Sequence, residues 1–186
     1  MSGFNFPLDV SCLGRRGYLS RLFLIATFIF FAGCGYHLRG GGDTLPEDVR
    51  TVALTPFVNN TYDAEMELLI SSALSAEFST GRRLVVFPEA KADTVLTGTL
   101  ISIDDRPVSF SSSDVAAEYR ITVRLDVLLS RKDGDVIWKG KGLSEVEDYQ
   151  SVPGDVEATE KNRYKARQRL AAEMADLIYE RLFEGF

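Results

Sequence analysis

From Tyr119 to Leu129 the chain alternates so regularly that it admits one backbone conformation. Tyr119, Ile121, Val123, Leu125, Val127 and Leu129 are apolar, and Arg120, Thr122, Arg124 and Asp126 between them are polar, with Leu128 the one break. Neighbouring side chains on a strand point to opposite faces, so this segment is a half-buried antiparallel strand. Asp133-Gly134 follows at once and predicts a two-residue hairpin turn. The next strand then runs from Asp135 to about Val146. Such a turn pairs Leu128 with Lys139 and Asp126 with Lys141, the latter a cross-strand ion pair. It also sets Val136 and Trp138 on the face of Leu129 and Val127, so both strands agree on which side is the core.

The remaining elements follow from spacing. Arg50 to Val58 reads as a strand ended by Pro56 and Asn59-Asn60. Asp63 is a helix cap. Met66, Leu69, Ile70, Ala73, Leu74 and Phe78 then recur at helical spacing, up to a stop at Gly81. Leu84 to Phe87 is a short strand, and Thr94 to Ile103 a further one with Gly98 as its expected bulge. Asp104-Asp105 reads as a turn and Pro107 to Ala116 as a Ser-rich loop. Glu157 to Phe183 is a long helix with Leu170, Met174, Leu177, Ile178 and Leu182 as its apolar stripe. The expected class is α+β, with two helices packed on one face of a mixed four- to five-stranded β-sheet.

The first quarter of the chain reads differently. Arg15, Arg16 and Arg21 precede the apolar run Leu22 to Phe31, and Ala32 and Gly33 lead into Cys34. This is the layout of an export signal cut before a cysteine that receives lipid. The apolar run is shorter than the roughly 20 residues of a membrane span. The alternatives are an uncleaved signal anchor or a cut at a neighbouring bond, and Phe31 stands where such signals usually carry Leu. Three segments follow: 1–33 as cleaved signal, 34–49 as lipidated N-terminus and tether, and 50–186 as one domain. Cys12 leaves with the signal, so diacylglyceryl and N-acyl groups on Cys34 would consume the last thiol. No disulfide or cysteine metal cluster is then open to the mature chain. The formal charge of −6 excludes a general electrostatic affinity for nucleic acid.

Cys34-Gly35-Tyr36-His37-Leu38-Arg39-Gly40 resembles the mature start of the LptE family of lipopolysaccharide-assembly lipoproteins. Val52-Ala53-Leu54, Phe57-Val58-Asn59-Asn60-Thr61-Tyr62, Ala92-Asp93, Ala117-Glu118-Tyr119-Arg120 and Trp138 follow in that family's order. The resemblance implies a small α/β domain at the inner leaflet of the outer membrane, plugging and helping to assemble the LptD β-barrel. It implies a part in lipopolysaccharide transport to the cell surface, with lipopolysaccharide as a candidate ligand, and no catalysis. The pattern Val52 to Thr61 is shared with lipoproteins that activate a cell-wall synthase or build a secretion channel, which is the second reading. An envelope hydrolase is the third. It lacks a nucleophile-and-base pair: His37 is the only histidine, and no Gly-x-Ser-x-Gly occurs.

A phosphate-bearing ligand needs cations despite the acidic total. From Arg106 to Leu143 the chain has seven basic and five acidic residues. Arg120 and Arg124 share one strand face, Lys139 and Lys141 the matching face of the next, and Arg106 adjoins them. These five are the candidate ligand-binding residues; the alternative is charge that protects an edge and a solvated face. The neutral Ser109 to Ser113 stretch weakens any closer transfer of a family site. Lys161, Arg163, Lys165, Arg167 and Arg169 form a second basic set, read as a solvated helix face with Glu157 and Glu173 a turn beyond. Mass spectrometry of the native protein is expected to show a chain starting at Cys34 with the acyl groups on that residue; a free Cys34 thiol or another start removes the lipoprotein reading.

Overall fold

The computed structural model describes residues 45–112 and 115–183; Cys34, His37 and the expected signal lie outside them. In chain order the elements are β1 (Thr51–Leu54), β2 (Val58–Asn59), α1 (Ala64–Thr80), β3 (Val85–Val86), β4 (Thr94–Phe110), β5 (Ala116–Arg131), β6 (Val136–Gln150) and α2 (Val156–Phe183). The strands form one six-stranded mixed sheet in the order β3-β1-β4-β5-β6, with β2 pairing β4 off this path. β1, β2 and β3 run parallel to their partners, and β4, β5 and β6 are antiparallel. The expected class holds. The sheet exceeds the expected four to five strands because Pro56 splits the first strand in two, leaving Val58–Asn59 to pair separately with β4.

One face of the sheet carries the core. Leu96 and Leu100 of β4, and Ile121, Val123, Leu125, Val127 and Leu129 of β5, are all at most 2% exposed. Met66, Ile70, Leu74 and Phe78 of α1 join them, as do Leu170, Met174, Ile178 and Leu182 of α2. The helices are amphipathic at the 3.6-residue period, and their apolar stripes close this face. Leu45 and Val49, within the stretch read as tether, are also buried in it. Asp63 caps α1 as expected, accepting from the Met66 amide at 3.1 Å. Gly81 stops α1 in an extended conformation (φ −67°), with the Tyr179 ring of α2 where a side chain would stand.

Several expectations on the long strands are corrected. Gly98 is not a bulge: the ladder runs unbroken from Thr94↔Arg131 to Leu100↔Leu125, and the extra residue is Ile101. Gly98 is instead required by close approach, since a Cβ there would lie 2.4 Å from the Phe57 ring. Asp104-Asp105 is no turn and Pro107 to Phe110 no loop, because β4 continues to Phe110. Beyond Leu100 β4 has lost its β2 neighbour and is an edge, where proline costs no ladder bond. The turn after β5 is one residue longer than expected. The Gly134 amide donates to the Arg131 carbonyl at 3.0 Å, and Gly134 takes φ +94°. Leu128↔Lys139 and Leu129↔Trp138 pair as predicted, but the extra residue Ile137 pairs Val136 with Ser130 and leaves it 58% exposed. β6 also runs on to Gln150.

Because Phe57 lies on the bare Gly98 backbone, Gly98→Ala is expected to lower stability by about 1–3 kcal/mol, the usual cost of overpacking. Phe57→Leu in the same chain should recover part of that loss. Urea denaturation of the two variants checks it, and additive losses would show that the ring is not the obstacle.

Candidate functional site

Among the described residues no helix lies on the sheet's second face. Past the Ile101 bulge, Ser102, Asp104 and Arg106 of β4 pair with Arg124, Thr122 and Arg120 of β5, which pair in turn with Ser144, Val146 and Asp148 of β6. These are the positions whose neighbours Ile103, Ile121 and Val123 turn toward the core. Most of this set lines an open trough of about 450 Å³. Three arginines and one aspartate are among its lining residues, with hydroxyls of Ser102, Thr122 and Ser144 between them.

Within the trough the cations are arranged unevenly. Arg106 and Arg120 are direct cross-strand partners. Like charges in that position repel unless anions intervene. Arg120 is held by Asp148 through two parallel bonds, Nε to Oδ1 and Nη2 to Oδ2, each 2.7 Å. That fork geometry matches the planar guanidinium to a two-oxygen anion such as a carboxylate. The hydrogen bond from Arg120 holds the Asp148 carboxyl below its ordinary pKa, and Asp148 raises that of Arg120 in return. Arg106 meets Asp104 only at 3.4 Å, with both side chains more than half exposed. Arg124 stands between Ser102 and Ser144 in the ladder and is exposed. The arrangement can receive an oxyanion between Arg106, Arg124 and the outer side of Arg120, with hydroxyls to take further oxygens.

Of the five candidate residues, the structure brings Arg106, Arg120 and Arg124 together. Lys139 lies opposite Leu128, beyond Arg124 on the side away from Arg106 and Arg120, and does not line the trough. Lys141 sits in a bulge between the Leu125↔Leu143 and Val127↔Gly140 pairs. The expected Asp126–Lys141 ion pair is absent for that reason: Asp126 accepts instead from the Gly142 amide at 2.7 Å. Gly142 has φ +61°, so the insertion turns the backbone, not the lysine, toward Asp126.

The second basic set is not a uniformly solvated face. Lys161 and Lys165 are exposed, but Arg167 is buried and bonds both Asp63 and Glu65 of the α1 N-terminus, the latter at 2.9 Å. Arg163 bonds Asp105 at 2.8 Å. Asp105 also accepts from the Tyr149 hydroxyl at 3.2 Å. Burial, with Asp105 adding to it, pushes the Tyr149 phenol well above its ordinary value. Arg169 pairs with Glu147 of β6 across the interface. Sequence reasoning missed these bonds, although the spacing of Arg163 and Arg167 on the side of Ala166 and Leu170 was their signal. They tie α2 to the rest and leave Asp105 and Tyr149 engaged inside the fold. Among the described residues there is no group of three metal-ligating side chains, and no helix long and apolar enough to cross a membrane.

The family model described as LptE: Lipopolysaccharide-assembly matches residues 49–182. No curated protein matches the chain. Among solved structures, uncharacterized lipoprotein B from Nitrosomonas europaea aligns with TM-score 0.54 and 16% identity, over 80% of this chain and 90% of that one. The rare lipoprotein B from Shewanella oneidensis aligns with TM-score 0.50 and 16% identity, over 72% of this chain and 93% of that one. These likenesses carry the fold alone.

Asp148 is expected to titrate below the ordinary carboxylate range in an NMR pH series, and Arg120→Gln to return it toward that range. Because the folded-state pKa is the lower one, the pair's contribution is fully present above the ordinary carboxylate range and is lost as pH falls from there through the lowered value.

Proposed function

The chain belongs to the LptE family of lipopolysaccharide assembly, and from that premise we propose that it plugs and helps assemble the LptD β-barrel of the outer membrane. The match over residues 49–182 carries the reading, since it spans nearly every element of the described fold. Cys34, acylated, holds the protein to the inner leaflet on the periplasmic side. Its work is to occupy and to present, without catalysis. Barrel lumens are polar, unlike barrel exteriors. The uncovered face of β4, β5 and β6, with its serines, threonines and paired charges, is compatible with such surroundings.

Lipopolysaccharide is the ligand proposed for that face. Its phosphates suit Arg106, Arg120 and Arg124, and its sugar hydroxyls suit Ser102, Thr122 and Ser144. Lys139 and Lys141 extend the basic strip toward the turn at Gly134 without joining the trough. Arg106 and Arg124 provide the readier charge, because Arg120 is already shared with Asp148.

Affinity purification from detergent-solubilised outer membranes tests the premise. A large barrel at near-equal stoichiometry is expected, and a cell-wall synthase in its place would favour the second reading. The ligand is tested separately by lipopolysaccharide capture on purified protein. Reversing Arg106, Arg120 and Arg124 to Glu should cut capture at least about tenfold, roughly 1.4 kcal/mol. Reversing Lys139 and Lys141 should do less. Unchanged capture after all five reversals removes the trough as the ligand site.

A further inference from the structure

The edge opposite β6 is finished differently from the rest of the sheet. β3 is a two-residue strand, and the consecutive residues Val85, Val86 and Phe87 are 55%, 38% and 40% exposed. Leu84, just before them, is buried at 1% and fixes the strand to the core. We propose that this edge is a second membrane contact, in which Val85, Val86 and Phe87 enter the headgroup boundary of a phospholipid leaflet beside the lipid anchor. The proposal rests on the acylation of Cys34 in the reading above.

Three observations lead to the lipid and not to a strand of another protein. First, β3 offers almost no backbone for strand addition. The Val85 and Phe87 amides already donate to Arg50 and Val52 carbonyls of the chain beside them, at 3.0 and 2.9 Å, and Pro88 ends the strand. What it presents is side chains. Second, the path to the anchor joins the domain here. Leu45, Pro46 and Val49 line a recess of about 150 Å³ with Arg83 and Phe183, and Thr51 pairs directly with Val85. Ten residues lie between Cys34 and Leu45. Fully extended, that stretch reaches at most about 40 Å, so acylation keeps this edge within that distance of the leaflet. Third, two of the four carboxylates nearby already have partners at the surface. Asp48 takes Arg131 at 2.7 Å, and Asp93 takes the Thr51 hydroxyl at 2.7 Å. Arg82 and Lys91 are exposed on either side of the apolar trio, with Glu47 and Glu89 also exposed. Long basic side chains beside an apolar edge are suited to a headgroup boundary, where the stem is buried and the charge stays wet. With charge nearly balanced, the apolar side chains supply the attraction.

A second contact has a mechanical consequence. A single acylated residue leaves the domain free to rotate about its tether. A contact at β3 restricts that rotation. The far end of β4, Phe110, lies 16 residues from Thr94, roughly 53 Å along the strand.

The chain's cysteines make the test direct. Cys12 is removed with the signal and Cys34 is acylated, so Phe87→Cys gives one labelling site in the native lipidated protein. A nitroxide there, in vesicles of phosphatidylethanolamine and phosphatidylglycerol, should collide more with oxygen than with a polar nickel chelate. A label at Phe110→Cys, at the far end of β4, should show the reverse. Circular dichroism confirms that both variants are folded. Equal chelate access at the two sites overturns the proposal, as does shielding at position 87 that appears only when a barrel protein co-purifies. Mass spectrometry of the same sample separates the two premises. An acylated protein with a water-exposed label keeps the lipoprotein reading and sinks the edge. A protein lacking acyl groups sinks the anchor and the edge with it, because the contact is proposed beside that anchor.

Discussion

Leu96, Leu100, Ile121, Val123, Leu125, Val127 and Leu129 point to one side of the sheet, and both helices lie where they cover that side. A two-layer α+β domain of this kind buries one sheet face and leaves the other to water or to a partner. The division runs along β5, the central member of the antiparallel part. Its odd-numbered residues from Ile121 to Leu129 are at most 2% exposed, whereas Arg120 and Arg124 are exposed. The Ile101 bulge in β4 keeps that division. The extra residue at Ile101 moves the core positions of β4 from even to odd numbers, so that Ile103 and Asp105 continue the inner face after Leu100. Without the insertion, Asp104 and Arg106 would turn into the core and Ile103 out of it.

Polar bonds then decide how α2 sits on this core. Apolar packing alone permits a long amphipathic helix to slide by a turn at modest cost. Arg167 prevents that slide, because its guanidinium is buried and its partners Asp63 and Glu65 belong to the first turn of α1. A buried ion pair is weak evidence of net stability, because desolvation offsets much of the attraction. Its firmer consequence is register: any displacement would leave a charge buried without a partner. Asp63 serves two elements at once, capping α1 through Oδ1 and meeting Arg167 through Oδ2. Arg163 with Asp105, and Asn162 with the Gln150 carbonyl at 3.0 Å, repeat the arrangement along β4 and β6.

Local periodicity carried most of this into the sequence. The alternation of β5, the Asp63 cap, the stripe of α2 and the burial of Trp138 were all legible, because each depends on residues close in the chain. What was not legible depends on backbone insertions or on distant partners. Ile101, Ile137 and the Lys141–Gly142 bulge leave no compositional mark, yet they decide where Val136 and Lys141 point. The Ser-rich run from Pro107 argued for a loop, but β4 is an edge there and its proline costs no ladder bond. The cationic trough was half legible. Arg120 and Arg124 shared a face by simple alternation, and Arg106 joined them only through the bulge. Lys139 was placed correctly by the hairpin and still falls outside the trough, because sharing a face does not ensure proximity on a strand of 15 residues.

The same geometry separates two kinds of surface by distance from the chain's entry. Near Leu45 the sheet ends in a short parallel edge whose exposed side chains are valine and phenylalanine. Past the Ile101 bulge the long antiparallel strands carry arginine and hydroxyl residues on their uncovered face. An apolar edge and a cationic trough make opposite demands on their surroundings: one is costly to leave in water, and the other is costly to take out of water without anions. A protein held with its Leu45 end beside lipid and its trough in an aqueous, anion-bearing space meets both demands at once. That condition follows from where the residues lie, and it matches the setting expected of a lipopolysaccharide-assembly protein at the outer membrane.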